Sequence, residues 1–241
     1  MKKTQLTRLA SIAMISCTLS TNSLAIGWHH GISVGLSKYQ GDLTLAVQDN
    51  QGQQSRFEDE LSNQSSKENL LTLLGVEGYS ISRKWAVSYQ INQFDLSSDN
   101  QEHVKYQALN ANFDMARSLL AFNNGINAYG LLGIEYLKHE LNDKNNDIKF
   151  ENDKWLPYAG IRLDVPITRS FATHLKAKSD FTQDSDSQSI QIAANYRLDF
   201  HSSVMLSYEV QKIKLKRQTE QQTTELNLDN NRISLRWYFI W

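Results

Sequence analysis

The sequence predicts an all-β protein, a transmembrane antiparallel up-and-down β-barrel of about ten strands. It divides into a signal peptide over 1–25 and the barrel over 26–241. Three observations predict this. The residues Arg232 to Trp241 alternate strictly, with Ile233, Leu235, Trp237, Phe239 and Trp241 set against Arg232, Ser234, Arg236 and Tyr238. A strand of that pattern has one apolar and one polar face. At the edge of a soluble sheet it would invite aggregation; in a membrane barrel it closes the cylinder. The N-terminal stretch reads as an export signal. Met1-Lys2-Lys3 and Arg8 are basic, Leu9 to Leu19 is apolar, and Ser23-Leu24-Ala25 offers small residues for cleavage. That run is too short for a spanning helix, which takes about 20 apolar residues. Lastly, segments of about 11 to 13 residues with period-2 alternation recur along the chain, close to what a tilted strand needs to cross a bilayer.

Composition narrows the classes. A formal net charge of -1 gives no basic footprint for nucleic acid. The single cysteine, Cys17, falls inside the signal. Met14 is a poor residue for a lipidation site there, so the mature chain is expected to lack thiol chemistry and thiolate metal sites.

The first strand runs from about Trp28 to Tyr39, with Ile32, Val34 and Leu36 outward. Residues 40–69 read as a long polar loop, although Gly41 to Val47 can prolong the strand. The second strand, about Leu70 to Ile81, changes phase, and a bulge at Gly78 would restore it. The third begins at Trp85, with Val87, Tyr89 and Ile91 on the same face. The fourth, Val104 to Met115, puts Asn110, Asn112 and Asp114 inward. After a connection over 116–125, the fifth runs from Ile126 to Lys138, and His139 to Asp153 reads as a polar loop.

The sixth strand, Lys154 to Pro166, carries both prolines near its ends, where a missing N–H does least harm. The seventh is Phe171 to Phe181, the eighth Gln188 to Phe200 and the ninth Val204 to Leu215. A polar loop over 216–229 precedes the terminal strand. Short connections after strands two, six and eight contrast with long ones after one, five and nine, which fits periplasmic turns and outer loops. Eight strands is the alternative if the fourth and fifth are not both real.

Two aromatic girdles are expected, because amphipathic rings favour the membrane interface. Trp28, Trp85, Phe171, Phe200 and Trp241 would form the periplasmic one, and Phe94, Tyr136, Trp155 and Phe181 the outer one. Parity also places charges inside. Glu77, Glu135, Asp164, Asp180, Asp199 and Glu209 face Arg162, Lys176, Lys178, Arg197, Arg232 and Arg236. Buried charges are costly unless paired, and a wide pore needs about 16 to 18 strands. The balanced set therefore predicts a salt-bridged plug, with a narrow channel as the alternative.

The signal, the Trp28-His-His-Gly-Ile-Ser-Val-Gly-Leu-Ser strand, the Gly75 to Trp85 hairpin and the aromatic-terminated last strand resemble small Gram-negative outer-membrane barrels of the general OmpA-like class. The resemblance implies residence in the outer membrane, contact with outer-membrane lipid and lipopolysaccharide, and recognition by the barrel assembly machinery. The residues Trp237, Phe239 and Trp241 would carry that assembly signal.

No cofactor or metal is expected. His29 and His30 are adjacent on a strand and point to opposite faces, and no HExxH or P-loop motif occurs. No segment matches the surface proteases of the omptin type. Asp184, Asp186 and His139-Glu140 read as solvated loop residues, and His174 falls inward among lysines. The reading is a non-enzymatic barrel with a structural or surface-interaction role, its extracellular ligand open.

Overall fold

The computed structural model describes residues 29–49, 54–62, 75–81, 84–98, 104–143, 148–180, 182, 185–218 and 222–241. The signal-peptide reading and the girdle positions of Trp28 and Phe181 lie outside them. Every described element is a strand: β1 (His29–Asp49), β2 (Gln54–Ser62), β3 (Gly75–Ile81), β4 (Trp85–Ser98), β5 (Val104–Ala121), β6 (Asn127–Asp143), β7 (Ile148–Pro166), β8 (Phe171–Asp180), β9 (Ser185–Arg197), β10 (Ser202–Gln218) and β11 (Gln222–Ile240).

All neighbours are antiparallel. β1 pairs with β11 from Gly31↔Ile240 to Asp49↔Gln222, which closes the sheet and leaves the terminal strand no free edge. β2 and β3 share one place in the wall. β2 lies along the upper part of β1 (Gln48↔Gln54 to Gln40↔Ser62), and β3 lies along its lower part (Gly35↔Gly75 to His29↔Ile81). β4 runs beside both. Eleven segments thus make a closed ten-stranded barrel, and the eight-stranded alternative is excluded. Pairing is continuous through Gly78, opposite Ile32 on one side and Tyr89 on the other, so the bulge expected there is absent. Tyr79 and Ile81 keep the parity of Glu77 and face the interior.

One end carries tight turns. β5 runs on to Ala121, so the connection expected over 116–125 shrinks to 122–126, after a bulge between Ser118 and Leu120. Gly125 N donates to Phe122 O at 3.0 Å, and Gly125 takes φ 88°, a conformation that residues with a Cβ seldom adopt. The turns over 167–170 and 198–201 are one residue shorter.

The other end differs from expectation. The segments 40–69, 139–153 and 216–229, read as polar loops, are largely strand. They carry the same side-chain parity as the membrane part with the polarity of the two faces exchanged. On β11, Phe239, Trp237, Leu235 and Ile233 are exposed outside while Arg236, Ser234 and Arg232 are buried inside. Beyond Asn231 the outward residues are Asp229, Asn227 and Glu225, and the buried ones are Leu228 and Leu226. β10 repeats this: Leu206, Tyr208 and Val210 outside give way to Lys212, Lys214 and Lys216, while Ser207, Glu209 and Gln211 inside give way to Ile213 and Leu215. β6 does the same between Ile134 and Lys138.

The exchange marks where the outer solvent changes from lipid to water. Against lipid the outward face must be apolar and the interior is free to be polar; against water the reverse holds. The wall continues about ten residues past the belt on β11. At ~3.3 Å per residue and a tilt of ~40°, it projects on the order of 25 Å.

Candidate functional site

At the level of the belt the interior is a ladder of bonded charges. Strand parity aims each of them inward, and register sets which meet. Deepest is the Lys178–Glu135 pair, N–O 2.7 Å, with side chains only 5% and 3% exposed. Ser187 Oγ donates to the second oxygen of Glu135 at 3.0 Å, and the Lys178 ammonium lies 4.9 Å from the Tyr158 ring centroid. Beside it Arg232 pairs with Glu209, its cross-strand partner in register. Arg236, fully enclosed, pairs with Glu77. Gly35 makes room for it: a Cβ there would sit 2.4 Å from Arg236 Cγ.

Toward the tight-turn end, Asp114 accepts from Lys176 Nζ (2.7 Å), Ser88 Oγ (2.9 Å) and Tyr158 Oη (3.1 Å). Asp164 accepts two bonds from Arg162, at 2.6 and 2.9 Å, and contacts His174 Nδ1 at 2.9 Å. Of the twelve charges expected inside, nine are in this ladder. Asp114, which parity also aims inward, completes it.

The other three stand elsewhere. Asp180 ends β8 and accepts from Thr182 Oγ1 at 3.4 Å. Arg197 is exposed at the turn end of β9. Asp199 lies in the turn itself and accepts from His201 N (2.6 Å) and Ser202 Oγ (2.9 Å); these hydrogen bonds, from the His201 backbone first, hold its carboxyl below the usual range.

Above the ladder the interior turns apolar. Leu43, Leu45, Leu61, Leu137, Leu156 and Leu226 are among sixteen buried side chains that form one cluster across the lumen. No sequence reading anticipated it, because its residues alternate with Lys, Glu, Asp and Asn and so resemble loop. Phe94, expected in the outer girdle, belongs to this cluster: it shares the parity of Ser88 and Asn92, is buried, and packs on Tyr39 at 5.1 Å.

No protein-family model and no curated protein matches the sequence. Solved structures do match in fold. The outer membrane protease OmpT from Escherichia coli aligns over 92% of this chain and 100% of its own, at 9% identity and a TM-score of 0.55. The outer membrane protein OprG from Pseudomonas aeruginosa aligns over 89% and 96%, at 11% identity and a TM-score of 0.44. The fold is that of a bacterial outer-membrane β-barrel. The belt agrees with this: Tyr136 and Trp155, paired across β6 and β7 at 4.8 Å, mark its upper rim. Trp85, Phe171, Phe200 and Trp241 lie at the tight-turn end, with Arg117 over the Trp85 ring at 5.5 Å. Trp237 and Phe239 face outward on the closing strand, 6.4 Å apart.

His139 lies above the Tyr136–Trp155 rim, outside the membrane-spanning part of β6. It faces the apolar cluster rather than solvent, with Nδ1 hydrogen-bonded to Tyr106 Oη and Nε2 buried without a partner. Asp186, by contrast, faces outward and is exposed; Asp184 lies outside the described residues. Desolvation pulls the His139 pKa down to about 3. Because the folded value lies below the unfolded one near 6.5, the unfolded chain binds the extra proton. Stability from the neutral ring is full above pH ~6.5 and is lost as pH falls toward 3, at roughly 1.4 kcal/mol per pH unit. We predict that His139→Phe flattens the acid limb of denaturant midpoint against pH; an unchanged acid limb would count against a buried neutral ring.

Proposed function

We propose that the protein is a sealed barrel with a structural or surface-interaction role at the outer membrane, not a conduit. The observation that supports this best is the two-tier interior. An ion entering from the turn end meets carboxylates and cations already bonded to one another, at a level where Lys178 and Glu135 have almost no solvent contact. Beyond them it meets a layer of leucines and aromatics, which excludes water.

The projecting wall supports the surface half of the reading. It has its own packed core, so it presents a stiff outer face instead of a set of polar loops. That face carries cross-strand pairs such as Lys212–Asp229 at 3.1 Å and Lys214–Glu225 at 2.9 Å. Exposed pairs of this kind add little stability, about 0–1 kcal/mol each, so the charge pattern reads better as a solvated display surface than as a brace. Catalysis is not part of the proposal, since the likeness to OmpT is one of fold. Planar bilayer recording tests the sealed state: the purified barrel is expected to give no stable unitary conductance at high salt. A steady conductance at high open probability would overturn the reading.

A further inference from the structure

The lumen opens at its turn end into a mouth of about 240 Å³. A deeper chamber of about 140 Å³ adjoins it, with Tyr79, His174 and Asn195 lining both. The mouth carries two guanidinium groups and several neutral polar side chains beside an apolar part that includes Pro166, Phe171 and Ile240. Arg169, Arg197 and His174 line it with Asn195 and Ser203, and among the described residues no carboxylate side chain does. The turn over 167–170 is drawn to β9 by Arg197 N, which donates to Ser170 O at 2.8 Å, and this brings Arg169 and Arg197 to one rim.

The acids closest in the chain are already engaged, Asp164 by Arg162 and His174, and Asp199 by its own turn. The independent observation is Ser203. Its side chain is 2% exposed, it lines this mouth, and its hydroxyl has no hydrogen-bond partner. A buried hydroxyl left unpaired costs about 1–3 kcal/mol, a deficit that a bound acceptor would remove.

We propose that this mouth is a periplasm-facing binding site for a phosphate group. Two guanidinium forks suit the paired oxygens of phosphate. Ser203 and Asn195 supply neutral donors behind them, more donors than a carboxylate would use. Taking ~30 Å³ per water, the mouth holds about eight waters, room for a phosphate and part of what it is attached to. The same chemistry has two sources, a soluble phosphate compound of the periplasm or the headgroup of an inner-leaflet phospholipid.

The test uses the whole folded barrel in non-ionic micelles, with folding checked by heat-modifiable gel migration. Calorimetric titration is run with inorganic phosphate and, separately, with a short-chain phosphatidylglycerol. Saturable binding of inorganic phosphate assigns a soluble ligand; binding of the phospholipid alone assigns a headgroup. Under either outcome Arg197→Gln should weaken binding about ten-fold. Ser203→Ala should weaken it while raising the unliganded denaturation midpoint, since the unpaired hydroxyl is gone, and Arg217→Gln at the opposite end should bind as the parent does. No saturable binding of either probe, or equal affinity in Arg197→Gln, would overturn the proposal.

Discussion

Lys178→Met is expected to destabilise the barrel by about 3–5 kcal/mol, the usual cost of leaving one partner of a buried ion pair alone. Glu135 would keep its bond from Ser187 but lose the cation it is paired with, at a site 3% exposed to solvent. Tyr158 would lose the ammonium over its ring as well. The double variant Lys178→Met with Glu135→Leu should recover most of the loss, since an apolar pair of similar volume needs no counter-charge. Urea unfolding of the micelle-folded barrel, followed by tryptophan fluorescence, gives the three midpoints. A single variant within 1 kcal/mol of the parent by that measure would show that water reaches Glu135 and that the pair is not sealed.

Leu226→Asp should act on the projection and spare the belt. Leu226 is fully enclosed and lies in register between Leu45 of β1 and Leu215 of β10. A carboxylate there has no cation within the apolar cluster, so it must be neutralised, reach water or open the wall, at a cost of several kcal/mol. The ladder of charges below is untouched, so the belt should still form and insert. The expected result is a barrel that keeps heat-modifiable migration yet is cut by trypsin at Lys214 and Lys216, where the parent resists. Lys214→Ala, on the outer face of the same strand, should change neither measurement by much, because its pair with Glu225 is solvated. Resistance to trypsin in Leu226→Asp would mean that the cluster does not hold the projection together.

The two variants probe regions that differed in how far the sequence revealed them. In the belt, lipid makes most outward residues apolar, so parity alone places Arg162, Lys176, Arg232 and Arg236 inside and gives them acids to meet. The errors there came at strand ends. Asp180, Arg197 and Asp199 have inward parity, but the wall stops before it encloses them, and alternation carries no signal of where a wall stops. In the projection the same alternation is present with the polarity of its faces exchanged. Leu226 and Leu228 among Thr, Glu, Asn and Asp look like an interrupted polar loop when the outward face is assumed to be the apolar one. Phe94 was misplaced for that reason: an aromatic near the expected rim was assigned to lipid although its parity pointed inward.

By itself, then, the sequence determined an antiparallel barrel of about ten strands, its closure by the last strand, the position of its turn end and the charged character of the lumen. These are local properties, fixed by period-2 alternation and by turn residues. Only the tertiary structure decided which carboxylate meets which cation, that β2 and β3 share one place in the wall, and that the lumen is capped by leucines. Those depend on register between strands far apart in the chain, as with Glu77 and Arg236, and on the height at which lipid gives way to water. The swap of polar and apolar faces at that height is written in the residues, but it becomes readable only once the strands are aligned side by side.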